Sequence, residues 1–396
     1  MADVGVVKGA ANVPVSSPMV TGYGTTTSVI VREVGNKIFY LNPAAAPFTL
    51  LTERAGNQNT DNPKYEWYEK SLRPKTVTST LATTNGTAFV ASDDNVVRVR
   101  DLITNTSTGE VALVTTQSTA TDYVVVRNLQ AQGGGFTTTS GQTWLVIGSA
   151  NTEGADVGIP DEWKETHKFN LTQIFRTPFG ASRTRDATET YIGSTRPRLR
   201  AEEAIAHALD IERAFMFGVR SDGTTAGTLS GYRTTGGFAS VATSNPLALG
   251  GAALSEPDLE VWLESLFQHT ASGDSRVVFA SPAVISAFDQ LAAERIRLVP
   301  SDTTYGISVK QFLTSHGTLN IIKHRLLAGS LYNVGAFALD PKMAKMRTLS
   351  GGSTKLLMNR QGPGVDGWID EYLSEVGFQL TNPEVHGIIT GVGVVA

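Results

Sequence analysis

The chain has 396 residues, 18% of them charged, with a formal net charge of -4 and no cysteine. Disulfides, thiolate metal sites and thiol nucleophiles are excluded together, and no block of basic residues forms a footprint for gripping nucleic acid. No stretch approaches the roughly 18 apolar residues of a membrane span, and the start lacks the charged-then-apolar pattern of a signal peptide. These features predict a soluble protein folded in the cytoplasm, long enough for two or three modules.

Taken in chain order, residues 1–65 contain little amphipathic periodicity and are punctuated by Pro14, Pro18, Gly22, Gly24, Pro43 and Pro47. They read as an extended arm with one anchor, a strand near Lys37-IFYL and a brief helix after Pro47. Residues 75–150 change to short β-rich runs: Val96-VRVRDLI, Gly109-EVALVTT, Tyr123-VVVRN and Thr143-WLVIGSA. Turn residues at Asn85-Gly86, Ser107-Thr108-Gly109 and Gly133-Gly134-Gly135 separate or flank them, which predicts a small all-β module.

A helix is predicted over Pro197–Gly218. Ala204, Ala208, Ile211 and Phe215 form one stripe, with Ile205, Leu209 and Met216 beside it. Pro197 suits the first turn and Gly218 the stop. Two more helices follow, one after the cap Ser255 with Asp258 three residues on, the other after Ser281-Pro282. Arg276-VVFA between them reads as a buried strand. Further strands are predicted at Leu319-NIIKH, Val334-GAFAL and Lys355-LLMN. A final strand pair at Trp368–Leu380 and from His386 onward is joined by an Asn382-Pro383 turn. In the first of that pair Glu371, Glu375 and Gln379 alternate with Tyr372, Val376, Phe378 and Leu380, the period of a strand. The fold class is α+β.

The order of these elements resembles the Hong Kong ninety-seven type fold of tailed-phage major capsid proteins, in the group with a β-domain insertion in the extended loop. Thr108-GEVALVTT, Tyr123-VVVRN, Phe169-NLTQIF, Ala181-SRTRDAT, Arg213-AFMFG, Gly317-TLNIIKHRLL and the strand–turn–strand ending carry the resemblance. It implies an arm over 1–65 and an extended loop over 66–185, with the β module inserted at about 75–150. It implies a peripheral domain from 186–222 and 341–396, built on a spine helix at 197–218, and an axial domain over 223–340. The expected role is self-assembly into the icosahedral head shell of a double-stranded DNA phage. Portal, separate scaffolding and decoration proteins are the implied partners, and the DNA is enclosed without sequence-specific binding. The expected location is the virion capsid, assembled in the host cytoplasm. No charged helical segment resembling a cleaved internal scaffold precedes the arm, so the expectation is that scaffolding comes from a separate protein or that assembly needs none. An encapsulin-like compartment and a β-rich tail or adhesin-type binding protein are the alternatives.

Candidate inter-subunit contacts are Arg176, Arg183, Arg185 and Arg198 around the start of the spine helix, with Glu371 and Glu375 on the late strand. For the arginines a solvated basic face is the competing reading. Trp67 and Trp144, with Tyr65, Tyr68 and Trp163, suit core or interface packing better than stacking on sugars or bases. Gly362-Pro-Gly-Val-Asp-Gly367 matches G-x-G-x-x-G, but a strand rather than a helix follows it, so it reads as a turn. No metal site, cofactor or catalytic constellation is expected. The six histidines are scattered, and the pairing of Glu371 with Glu375 lacks the context of a glycosidase site.

Overall fold

A computed structural model describes residues 46–393, apart from 81, 87, 91–95, 118–122, 130–134, 156–164, 189–193, 224–230, 270–272, 296–297, 301–309 and 328–334. The arm up to residue 45, Trp163 and part of the Gly133–Gly135 turn lie outside the described residues. The described chain forms two compact units, one of residues 46–66 with 169–393, the other Trp67–Lys168. The chain passes between them along β2 (Lys64–Glu69) and β11 (Thr166–Leu171), which pair with one another.

In the first unit, α1 (Pro47–Ala55) leads into β1 (Asn57–Thr60). After β11 come β12 (Gln173–Ser182), the short α2 (Arg183–Ala187) and α3 (Thr195–Phe217). This last is the helix predicted over Pro197–Gly218, begun two residues early, with Pro197 inside the first turn, where its missing N–H costs no bond. Gly218 closes it, its N–H donating to the Ala214 carbonyl at 2.8 Å. The predicted stripe is only partly the buried one: Ile211, Phe215 and Met216 are buried along with His207 and Glu212, whereas Ala208 is half-buried.

A five-stranded sheet carries α3. Its order is β1, β19 (Ala344–Leu349), β21 (Gly367–Leu380) and β12, with β20 (Lys355–Leu357) also paired to β21. β12 is an edge strand among the described residues, and Pro178 lies in its middle, a position where a missing N–H is tolerated. A second, seven-stranded sheet runs β13 (Pro246–Ala248), β22 (Gly387–Thr390), β18 (Ala336–Leu339), β14 (Ser275–Ala280), β17 (Thr318–Lys323), β16 (Lys310–Leu313), β15 (Leu298–Pro300). β14 and β17 are parallel, which requires a long crossover, and α6 (Pro282–Arg295) lies within it. The short α4 (Phe238–Val241) and α5 (Glu256–Phe267) precede β14. Ser255 caps α5 as predicted, its Oγ accepting from the Asp258 amide. Ser281 does the same for Val284 at the start of α6.

The final strands depart from expectation. β21 belongs to the five-stranded sheet and β22 to the seven-stranded one, so they are not partners. Asn382 takes the left-handed conformation (φ 51°) and Pro383–Val385 forms a 3-10 turn. The six residues between the strands therefore redirect the chain instead of folding it back. Gly362–Gly367 is a turn leading into β21, as its sequence context implies.

Two apolar clusters fill this unit. One joins Phe48, Phe215, Phe238, Phe279, Phe337 and Phe378. The other packs Leu259, Trp262 and Leu266 of α5 with Phe288, Phe312 and Ile389. At roughly 1.5–3 kcal/mol for each large side chain removed from water, these residues dominate the unit's stability.

The second unit is a six-stranded sheet in the order β3 (Thr76–Thr78), β10 (Thr143–Ser149), β6 (Asp101–Asn105), β7 (Val111–Gln117), β8 (Tyr123–Asn128), β5 (Ala88–Val90). A separate pair, β4 (Thr83–Gly86) with β9 (Phe136–Thr138), completes it. Val77, Ile103, Val114, Phe136, Trp144 and Val146 are its core. The predicted strand Val96–Ile103 begins only at Asp101. Arg100 has a positive φ of 76°, which turns the chain and leaves Val96 and Val97 as buried loop residues.

Candidate assembly surface and the ion pairs beneath it

The start of α3 is unusually basic for a helix N-terminus, where the backbone dipole favours anions. Arg196, Arg198 and Arg200 all fall in its first six residues. Asp370 on β21 answers this charge. Its carboxylate is fully buried and accepts from Arg196 Nη2 at 2.8 Å, Arg200 Nη2 at 2.8 Å and the Asn359 amide at 3.0 Å. Burial works to raise the Asp370 carboxyl; the bonds from Arg196, the Asn359 amide and Arg200 outweigh it and leave the group at about 2. The Arg196 guanidinium also stacks 4.8 Å from the Trp368 ring.

On the opposite face of the same sheet stand three of the predicted contact residues, Arg176, Glu371 and Glu375. Arg176 of β12 is opposite Leu373 of β21 in register, one diagonal step from both Glu371 and Glu375. It pairs with Glu371, to which Arg360 also reaches at 3.9 Å. Glu375 instead accepts from Thr172 Oγ1 at 3.0 Å and pairs with Arg233. Arg183 meets Asp366 at 2.8 Å, and this pair is well exposed, at 78% and 62% of the side chains. Arg198 faces Glu202 one turn along the helix at 3.7 Å. Arg185 is exposed, and its amide donates to Ser182 Oγ as part of the α2 cap. Trp67 donates to Glu69 Oε1 at 2.7 Å. Trp144 lies wholly inside the Trp67–Lys168 unit, edge-on to Phe136 at 5.6 Å, with Nε1 donating to Thr138 Oγ1. The structure thus brings Arg176, Glu371 and Glu375 together and keeps Arg183, Arg185 and Arg198 as separate positions around the start of α3.

The exposed apolar side chains include Ile174, Val219, Tyr232, Val261, Met358 and Val365 in the first unit and, separately, Leu72 and Tyr68 in the second. Leu72 is 93% exposed.

Three histidines are buried, each with partners that sequence spacing hides. His207 of α3 bridges Thr177 Oγ1 at 2.9 Å and Ser374 Oγ at 2.7 Å, and burial lowers its pKa. His324 meets Glu212 at 2.6 Å. His386 accepts from the Asp340 amide through Nδ1 and donates to the Thr381 carbonyl through Nε2. Burial lowers it to about 4, against the pull of the Thr381 carbonyl and Asp340. Serine beside histidine is the pairing of an activated nucleophile. Here both are buried, His207 at 2% and Ser374 at 0% exposure, and they tie α3 to β12 and β21. Among the described residues no group of three His, Asp or Glu side chains is placed to hold a metal ion. No described helix is long and apolar enough to cross a membrane.

Sequence reasoning missed the positions that hold these elements together. Asp370 lies next to Glu371 in sequence but on the other face of β21, and nothing local marks it as the partner of two arginines. Arg276, read as the start of a buried strand, is fully buried and donates to the carbonyls of Val385, Leu266, Gly273 and Ser275. A charge opening an otherwise apolar run was the available signal.

Comparison with known proteins gives the class first. The profile of a phage major capsid family, described as SU10 major capsid protein, matches residues 19–393. The chain belongs to the SU10 major capsid protein family. Its described architecture mixes helices with sheets, and capsid shells are built from many copies of their major capsid protein. Among solved structures the chain is similar to one from Microbacterium phage Oxtober96 (11% identity, 92% of this chain and 97% of that one, TM-score 0.46). It is similar also to one from Mycobacterium phage Adephagia (10% identity, 95% and 99%, TM-score 0.44) and to the capsid of Myoviridae phage XM1 (10% identity, 91% and 97%, TM-score 0.44). No curated protein matches the sequence.

Proposed function

We propose that copies of this chain close into the icosahedral head shell of a tailed phage, around double-stranded DNA held without sequence recognition. The observation that carries this is the family match, which spans nearly the whole chain. In this reading residues 1–65 are an arm that crosses onto a neighbouring copy, and 66–185 are the extended loop. Residues 186–222 with 341–396 are the peripheral domain, and 223–340 are the axial domain at the five-fold and quasi-six-fold axes. Assembly takes place in the host cytoplasm with a portal, a separate scaffolding protein and a decoration protein as partners. The chain has no catalytic role; the burial of the His207–Ser374 pair supports this.

Arg183 and Arg185, with Arg176, Arg198, Trp67, Glu371 and Glu375, are the proposed contact residues; Trp144 contributes by holding the shape of its unit. An exposed pair such as Arg183–Asp366 is worth only ~0–1 kcal/mol within the chain. Its arginine is therefore cheaply given up to a carboxylate of the next copy. The sparse, mildly acidic charge suits a container, since a strongly basic inner wall would hold DNA by counterion release.

Negative-stain images of the expressed protein test the function: uniform closed particles are expected, and soluble monomers alone would oppose it. Charge reversal at Arg183 and Arg185 tests the contacts. The expected outcome is a sharp drop in shell yield with the circular dichroism of the subunit unchanged; unchanged yield removes both residues from the interface.

A further inference from the structure

The helix α1 lacks a cap of its own. Its N-cap position is Ala46, among the poorest capping residues, and no side chain there accepts a bond. A helix N-terminus nevertheless leaves its first amides without carbonyl partners. Pro47 has no N–H to satisfy, and Leu50 already donates to the Ala46 carbonyl at 3.3 Å. The two amides between them both go to one distant side chain. Phe48 N donates to Glu212 Oε1 at 2.8 Å and Thr49 N to Glu212 Oε2 at 2.6 Å, while Thr49 Oγ1 adds a third bond. Glu212 is fully buried in α3, more than 160 residues away in sequence.

A carboxylate at this place answers both the orphan amides and the positive end of the helix dipole. Its remaining partner is His324, just after β17, at 2.6 Å from Oε1. Around this cluster the rings of Phe48, Phe238, Phe279 and Phe378 exclude water. One side chain therefore binds the root of the N-terminal segment, the spine helix and the end of a strand from the second sheet.

We infer that Glu212 is the anchor of an N-terminal strap: α1 is seated on the spine helix by this carboxylate, and loss of its charge unseats α1 while the sheet beneath stays folded. The strap has a second fastening, β1 in parallel register with β19 from Asn57 to Thr60. Release at Glu212 therefore frees residues 46–56 up to that point. This anchor goes beyond the shell reading and stands or falls without it.

Hydrogen exchange measured by mass spectrometry on the full-length subunit tests the anchor. Bonds to a charged group are each worth enough that losing two of them changes an opening equilibrium about tenfold or more. In Glu212→Gln, which keeps the size but offers one acceptor oxygen, exchange of residues 46–56 should rise about tenfold or more. Peptides from 200–211 and 367–380 should keep their protection. Thr49→Val removes only the hydroxyl bond and should raise exchange of the same segment by a smaller factor. Unchanged protection of 46–56 in Glu212→Gln, or an equal loss across the whole unit, overturns the inference. Should Glu212→Gln fail to fold, Thr49→Val decides alone: no change in that segment overturns it, and a selective change supports it.

Discussion

Buried ionisable residues carry much of what is particular to this chain. Asp370 exposes none of its side chain, yet it holds two guanidinium groups of α3. The sequence could show only that it lies on a strand and that arginines crowd a helix start. Their meeting depends on the pairing of β12 with β21, a contact across nearly two hundred residues. His386 offers a measurable consequence. Unfolded, its imidazole takes a proton near 6.5; folded, it does so only near 4. Its stabilising share is thus complete above pH 6.5 and is lost as pH falls toward 4, a change of about 3 kcal/mol. His386→Asn keeps an acceptor for the Asp340 amide and removes the titration. Chemical denaturation of the unassembled subunit should show that the variant loses less stability than the parent between pH 6.5 and 4. Equal losses in the two proteins would contradict this.

At the scale of elements, local signals were legible where a single helix or strand satisfies itself. The caps Ser255 and Ser281, the Gly218 stop and the strand at Ser275–Ala280 all follow from nearby residues. The partnership of the last two strands did not, because it depends on which sheet lies within reach after the Asn382 turn. Likewise Val96 and Val97 look like strand residues, and only the backbone at Arg100 shows that they fill a core from a loop. Gly387 illustrates a constraint that sequence alone hides. A methyl group there would sit 2.7 Å from the Trp262 ring, whose Nε1 donates to the Asn245 carbonyl. Gly387→Ala forces that ring aside and is expected to lower stability by roughly 1–3 kcal/mol. A urea melt with an unchanged midpoint would show that the ring moves freely.

At the scale of the molecule, the short β runs and turns between residues 75 and 150 are local in sequence and so legible there as strands. The compact unit that holds them runs from Trp67 to Lys168. It has a core of its own, which leads to a separable unfolding event. Trp144→Ala empties the centre of that core and should cost about 3–5 kcal/mol. Calorimetry of the unassembled subunit should show one transition lowered while the other stays in place; a single shared transition moving as a whole would count against independent units.

The central claim is that this family member builds its function from contacts among copies. The candidate contact residues were legible as residue types, but their own-chain partners were not, since ion pairs such as Arg176–Glu371 form only across the folded sheet. Mass measurement of the purified protein under assembly conditions tests the claim most directly. The account predicts closed particles of many copies, in equilibrium with few or no free subunits. A stably folded monomer that persists at every concentration under those conditions would contradict it.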